Sequence, residues 1–252
     1  MNKIILIRKK YTEEYEHLKK YGDDVFEYVW YEDINSAFDL DWIKNRVIWY
    51  RGLIYDKMWD KILLRLEQNN NIILNHPDKC KVVSNKYKYS LSAKDLSYSI
   101  KTWFKPEDAE FPCVEKPYVG HSGIGVKVVD SVKDCNIDER IWTEKIDFDS
   151  EWRVWCFMST PIGYYRRNHI KGIEDKSTND SVDFEYIEDD PENKELIKNI
   201  VQDVSKRYQL TFFAIDLFKV GNDWKVCEVN SQPGYKPKVW QTTIKMCKYT
   251  YM

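Results

Sequence analysis

Residues 212–230, "FFAIDLFKVGNDWKVCEVN", constrain this chain more tightly than any other stretch. Two runs rich in aromatic and β-branched residues flank Gly221-Asn222-Asp223, the pattern of a β-hairpin. Side chains alternate along a strand, so Phe212, Ala214, Asp216 and Phe218 share one face, and Trp224, Val226, Glu228 and Asn230 share a face of the next strand. With Gly221-Asn222-Asp223 as a three-residue loop, Val220 stands opposite Trp224. Counting back, Asp216 then lies opposite Glu228, with Asn230 as a diagonal neighbour. Opposed like charges weaken a strand pair, and a carboxylate among apolar neighbours requires a partner. A divalent cation meets both demands, and Mg²⁺ favours oxygen ligands of this kind, shared with phosphate and water. The other reading of the same residues is an edge hairpin with its polar face in water. Phe212, Phe218 and Val226 argue against a wet face.

Charge and cysteine content narrow the classes. Lys+Arg number 39 against 41 Asp+Glu, so no global pull toward nucleic acid or anionic membrane exists. Cys80, Cys113, Cys135, Cys156, Cys227 and Cys247 form no C-x-x-C pair and have no His at ligand spacing, which excludes the usual zinc patterns. Most sit inside apolar strand-like runs, which suits reduced cysteines buried as small hydrophobes. The opening "MNKIILIRKK" has four successive apolar residues before charge returns, too few for a signal-peptide core or a membrane span. The expectation is a soluble cytoplasmic protein.

The first part alternates strand and helix signals. Strands are predicted at "IILI", "VFEYVW", "RVIWYRG" and "NIILNHP". A charged helix runs from Thr12 to Tyr21 and stops at Gly22, and a second carries Met58, Ile62 and Leu66 at helical spacing. This predicts a small α/β domain over residues 1–76. Beyond it, "SNKYKYSLSAKDL" is helical, and "FPCVEKP", "GVKVVD", "RIWTEKI" and "EWRVWCF" are strands. "DDPENKELIKNIVQDVSKRY" predicts a helix capped by Asp190, with Pro191 in its first turn and Leu196, Ile197, Ile200, Val201 and Val204 on one side. The basic tail, with Lys236, Lys238, Lys245 and Lys248, reads either as a solvated surface or as a guide for an acidic peptide or nucleic acid.

Residues 115–130, "EKPYVGHSGIGVKVVD", place Gly120, Gly123 and Gly125 between two strands. Glycines free the backbone to approach a phosphate chain with its N–H groups. A strand rather than a helix follows, which disfavours a Rossmann turn, and no Gly-Lys-Ser/Thr follows, which excludes a P-loop. Lys116 at the strand end can reach phosphate as a point charge.

In chain order, Lys116-Pro117, "GHSGIGV", "WTEKI", "EWRV", "AIDLF" and "EVNSQPG" resemble the ATP-grasp superfamily of carboxylate–amine ligases, over roughly residues 76–235. "SEWRVWCF" followed by "YYRRNHIKG" looks closest to the ribosomal-protein glutamate ligases and to the divergent clade containing the translation-initiation-factor assembly protein. The resemblance implies an α+β fold in which the α/β domain precedes two α+β subdomains that clasp a nucleotide. These are a lid over 77–145 with the glycine loop and a core over 146–252 with the metal site. It also implies roles. Lys86 and Lys116 contact the α- and β-phosphates, and the loop of Gly120, Gly123 and Gly125 covers them. Glu144 with the backbone of Lys145 and Ile146 sits at the adenine edge, and Glu151 binds the ribose hydroxyls. Asp216, Glu228 and Asn230 hold Mg²⁺, in agreement with the hairpin argument. Arg153 points into the same cleft, and either Arg166 or Arg167 steadies the transferring phosphoryl group. His121 and His169 are candidate substrate contacts or amine bases. The loop from Lys171 to Asp183 departs from the glutamate ligases.

The implied reaction uses ATP and Mg²⁺ to convert a carboxylate to an acyl phosphate that an amine then captures as an amide, with a protein or peptide as the expected substrate. No membrane and no nucleic acid is expected as a partner. The alternative from another class is a nucleotide-binding assembly factor that uses the same fold to hold a partner protein without ligation.

Overall fold

The structure is a computed structural model, described here for residues 3–8, 13–34, 36–51, 57–120, 123–169, 182–188, 191, 193–234 and 236–252. His121, Asp190 and most of the 171–183 loop lie outside the described residues, as does the side chain of His169.

Strands β1 (Ile4–Arg8), β2 (Phe26–Trp30), β3 (Val47–Arg51) and β4 (Ile72–Leu74) form a parallel sheet in the order β2-β1-β3-β4, linked by helices α1 (Glu13–Gly22) and α2 (Lys57–Gln68). A parallel sheet is covered on both faces, which is why β1 reads as an unbroken apolar run. Ile5, Ile7, Ile48 and Tyr50 pack toward α2, while Ile4, Leu6 and Trp49 pack toward the rest of the chain.

Two short helices follow, α3 (Pro77–Val83) and α4 (Lys86–Ala93), each opened by a side-chain cap. The His76 ring accepts from the Asp78 N–H, and Asn85 Oδ1 accepts from the Lys88 N–H at 3.0 Å. Next comes an antiparallel sheet in the order β5-β8-β6-β7, from β5 (Thr102–Trp103), β6 (Cys113–Pro117), β7 (Lys127–Val129) and β8 (Arg140–Glu144). The glycine loop joins β6 to β7.

The largest sheet is antiparallel, in the order β11-β10-β9-β12-β13, from β9 (Ser150–Phe157), β10 (Thr160–His169), β11 (Val182–Ile187), β12 (Phe212–Val220) and β13 (Asp223–Asn230). Helix α5 (Lys194–Tyr208) covers one face with Ile197, Ile200, Val201, Val204 and Tyr208, joined there by Cys80, Val83, Tyr89 and Ala93 of α3 and α4. Each fully buried Ile or Val contributes about 1.5–3 kcal/mol. The predicted start of α5 is corrected. Asn193 sits at φ 58°, in the left-handed region, so the helix begins at Lys194 rather than at an Asp190 cap. Leu196 lies off the apolar face and is exposed.

The basic tail proves to be helix α6 (Pro237–Tyr251). Val239, Trp240, Ile244 and Cys247 on its inner face join the first sheet to the largest one, and Trp49, Phe212 and Trp240 meet there with ring centroids 5.1–5.2 Å apart. The lysines ride its outer face: Lys248 pairs with Asp24 at 2.5 Å and Lys238 with Glu188 at 2.7 Å. Among the described residues no helix is long and apolar enough to cross a membrane.

Candidate active site

The hairpin of β12 and β13 is tighter than the sequence suggests, and a bulge corrects it. Val220 pairs with Asp223, Lys219 with Trp224 and Leu217 with Val226, so the turn has two residues, Gly221 and Asn222. The register shifts by one between Leu217 and Asp216, which brings Asp216 opposite Glu228 after all and Ala214 opposite Asn230. The extra residue is Cys227. Trp224, Val226 and Val229 face the α5 side, while Cys227, Glu228 and Asn230 face the cleft. Val226 and Glu228 therefore do not share a face. The carboxylate leaves the apolar side because the bulge turns the strand over.

The hairpin ends abruptly because its ends are clamped. Asn75, buried just after β4, accepts from the N–H groups of Thr211 and Phe212 at 2.8 and 2.9 Å, and its amide donates to the Ser231 carbonyl at 2.8 Å and to the Phe212 carbonyl. One side chain thus fixes where β12 begins and β13 stops. Ser231 is buried beneath it, and Pro233-Gly234 then turn the chain toward α6.

Between this sheet and the β5–β8 sheet opens a cleft of about 730 Å³. Of the residues predicted for the site, Lys86, Lys116, Gly120, Gly123, Glu144, Lys145, Ile146, Glu151, Arg153, Arg167, Asp216, Glu228 and Asn230 line it. Lys86 opens α4, where its N–H donates to the Tyr118 carbonyl at 2.7 Å and its Nζ donates to the Gly120 carbonyl at 3.1 Å, tethering the glycine loop. Lys116 Nζ lies 3.9 Å from Cys227 Sγ. Gly123 and Gly125 both adopt φ 75°, a conformation other residues resist. Gly125 stands at the loop's outer end, its carbonyl held by Arg140 at 2.8 Å. The Glu144 carboxylate accepts from the Lys101 N–H at 3.0 Å.

Two ion pairs dominate the floor. Arg153 on β9 stands directly opposite Asp216 in register, and its Nε and Nη2 hold the two carboxylate oxygens at 2.5 and 2.6 Å. Arg167 on β10 pairs with Glu151 and lies 3.9 Å from Asp216. Burial pushes the Glu151 carboxyl up to about 7, against the pull of Arg167. Burial works against the Arg153 charge, but Asp216 outweighs it and holds that guanidinium more firmly protonated than usual. Burial also raises the Cys227 thiol to about 11, opposed by Lys116.

The arginine doublet divides as strand alternation requires. Arg167 faces the cleft, and Arg166 projects from the other face over the Trp152 ring at 5.2 Å. Glu151, expected to face ribose, lines the cleft and pairs there with Arg167. Sequence reasoning missed Asn75, the Cys227 bulge and the Phe148–Phe218 stack at 4.3 Å that lines the cleft. The aromatic at Phe218, two residues after Asp216 on the same face, was the available signal for the last of these.

No protein-family model matches the chain, and no curated protein matches it in sequence. Solved structures do match. The ATP-grasp ligase PsnB complexed with a minimal precursor superposes with a TM-score of 0.72 at 12% identity, covering 98% of this chain and 100% of that one. A RiPP-associated ATP-grasp ligase from Chryseobacterium gregarium, in complex with ADP and a leader and core peptide, gives 0.69 at 14% identity, covering 99% and 98%. D-alanine–D-alanine ligase from Bacillus anthracis complexed with ATP gives 0.65 at 16%, covering 100% and 99%. The chain therefore has the ATP-grasp fold over nearly its whole length.

Proposed function

We propose that this protein is an ATP- and Mg²⁺-dependent carboxylate–amine ligase that forms an amide or peptide bond on a peptide or protein substrate, through an acyl phosphate. The observation that carries this reading is the meeting, in one cleft under a glycine loop, of Asp216, Glu228 and Asn230 with Lys86, Lys116, Arg153 and Arg167. Phosphoryl transfer asks for positioning and for neutralisation of spreading charge, not for a protein nucleophile. In this reading residues 1–76 form the N-terminal unit, 77–145 the lid and 146–252 the core.

The donor set fits Mg²⁺: two carboxylates in register across a strand pair and an amide beside them, all oxygen ligands. Asp216, Glu228 and Asn230 would hold the Mg²⁺, which would supply neutralisation of the charge that builds on the phosphates during transfer. The remaining work belongs to the chain. Lys86 and Lys116 bind the phosphates, and the loop of Gly120, Gly123 and Gly125 excludes water that would hydrolyse the acyl phosphate. Arg167 faces the transferring group, with Glu151 orienting it. Glu144 and the Lys145–Ile146 backbone flank the base, beside the Phe148–Phe218 stack.

The structural likeness to ligases solved with precursor peptides supports a peptide-modifying role, and the resemblance to ribosomal-protein glutamate ligases points the same way. The test is to incubate the protein with ATP, Mg²⁺ and a panel of carboxylate-bearing peptides in hydroxylamine. Peptide hydroxamate formed together with ADP supports the reading. ATP and peptide binding without either product would leave a holding role in its place.

A further inference from the structure

Both acids that face each other across the hairpin are already covered by cations. The Arg153 fork holds both oxygens of Asp216 at 2.5 and 2.6 Å, and Lys86 Nζ stands 3.8 Å from Glu228. Arg167 adds a second guanidinium 3.9 Å from Asp216. Neither cover is accidental. Arg153 is fixed opposite Asp216 by strand register, with its guanidinium also over the Phe184 ring at 5.4 Å. Lys86 is fixed at the first turn of α4 by the Asn85 cap and by its own N–H bond to Tyr118.

Five cations line the cleft, Lys86, Lys116, Lys145, Arg153 and Arg167, against five acids, Glu144, Asp147, Glu151, Asp216 and Glu228, so its wall offers no excess of negative charge to a free cation. A bare divalent cation entering here must take Asp216 oxygens already held by Arg153 and stand within a few ångströms of two guanidinium groups. A nucleotide brings phosphate oxygens that give those guanidinium and ammonium groups other partners, and so uncovers the acids.

We propose that Arg153, assisted by Lys86, is an internal counter-ion that denies the Asp216–Glu228 pair to free divalent cation and makes metal binding depend on nucleotide. The inference rests on the nucleotide–metal reading of the cleft given above and adds a positioning role to it. Coupling between two ligands is reciprocal, so the metal strengthens nucleotide binding by the same factor that the nucleotide strengthens metal binding. A ligase built this way binds neither free Mg²⁺ nor metal-free ATP well.

The test uses the full chain with Mn²⁺ as probe, the free ion being counted by electron paramagnetic resonance, with and without ATP. ATP is titrated separately in EDTA. In the wild type, ATP tightens Mn²⁺ binding by roughly a hundredfold, at the upper end of the range typical of coupled sites. In Arg153→Gln, Mn²⁺ alone binds roughly tenfold tighter than in the wild type and the coupling factor falls correspondingly, while Arg153→Lys keeps most of the coupling. Lys86→Gln moves both quantities the same way by a smaller factor. Because Glu228 is partly exposed, that change strands no buried acid, so it decides the matter if Arg153→Gln does not fold. If the wild type binds ATP with Mn²⁺ but the foldable variants leave binding of Mn²⁺ alone unchanged, the counter-ion role is wrong and the site reading stands. If the wild type binds no ATP under any condition, the site reading itself is wrong and the inference falls with it.

Discussion

Arg153 and Asp216 face each other in register across β9 and β12, with both guanidinium–carboxylate contacts between 2.5 and 2.6 Å and both side chains largely buried. Breaking a buried pair by removing one partner costs about 3–5 kcal/mol, because the other charge is left uncompensated. Asp216→Ala therefore lowers stability by about 3 kcal/mol in denaturant unfolding. The double variant Asp216→Ala/Arg153→Met recovers most of that loss while remaining inactive. Equal instability in the single and double variants would show that the pair does not hold the floor of the cleft together.

Asn75 is the most informative residue outside the ion pairs. Its side chain makes four hydrogen bonds to the backbone where β12 begins and β13 ends. Asn75→Ala leaves buried N–H and C=O groups without partners, at about 1–3 kcal/mol each where no water replaces them. A loss of at least about 3 kcal/mol is expected in urea unfolding, together with weaker ATP binding as Glu228 and Asn230 lose their placement.

The Glu151 carboxyl provides a pH signature. Burial raises it to about 7 from the ordinary 4.5, so the folded chain holds this proton more tightly than the unfolded chain does. Its contribution to stability is complete below pH 4.5 and is lost as the pH rises through about 7. Between pH 5 and 8 the wild type should lose a few kcal/mol relative to Glu151→Gln, which lacks the titrating group. Parallel stability–pH curves for the two proteins would contradict the burial account.

Cys227 faces the cleft, yet burial holds its thiol near 11, so little thiolate exists at neutral pH. Alkylation by iodoacetamide at pH 7.5 should be slow, and should slow further with ATP and Mg²⁺ present. Rapid modification, followed by mass spectrometry, would place Cys227 in a different environment.

Much of this was legible in the residues, for reasons that differ by element. The parallel strands at Ile4–Arg8 and Val47–Arg51 announce themselves because burial on both faces leaves no polar alternation to blur the run. The Asp216–Glu228 pairing came out as predicted through a turn one residue shorter than expected and a bulge that restored the count. Alternation alone carries no mark of a bulge, so the face of Glu228 could not be read from it. Helix α6 escaped because Thr, Tyr, Val and Ile are weak helix formers and its lysines suggested a solvated tail. Tertiary packing of Trp240 and Cys247 makes it a helix. Asn75 looked like the polar end of a strand, and only its partners, 136 and more residues away, reveal it as a clamp.

The measurement that tests the central claim most directly is ATP binding by calorimetry, with and without Mg²⁺, on the wild type, Asp216→Asn and Glu228→Gln. The account predicts binding that requires Mg²⁺ in the wild type and falls at least about a hundredfold in both variants, with folding checked by circular dichroism. ATP bound equally well by all three proteins, whether or not Mg²⁺ is present, would contradict a metal–nucleotide site on this hairpin.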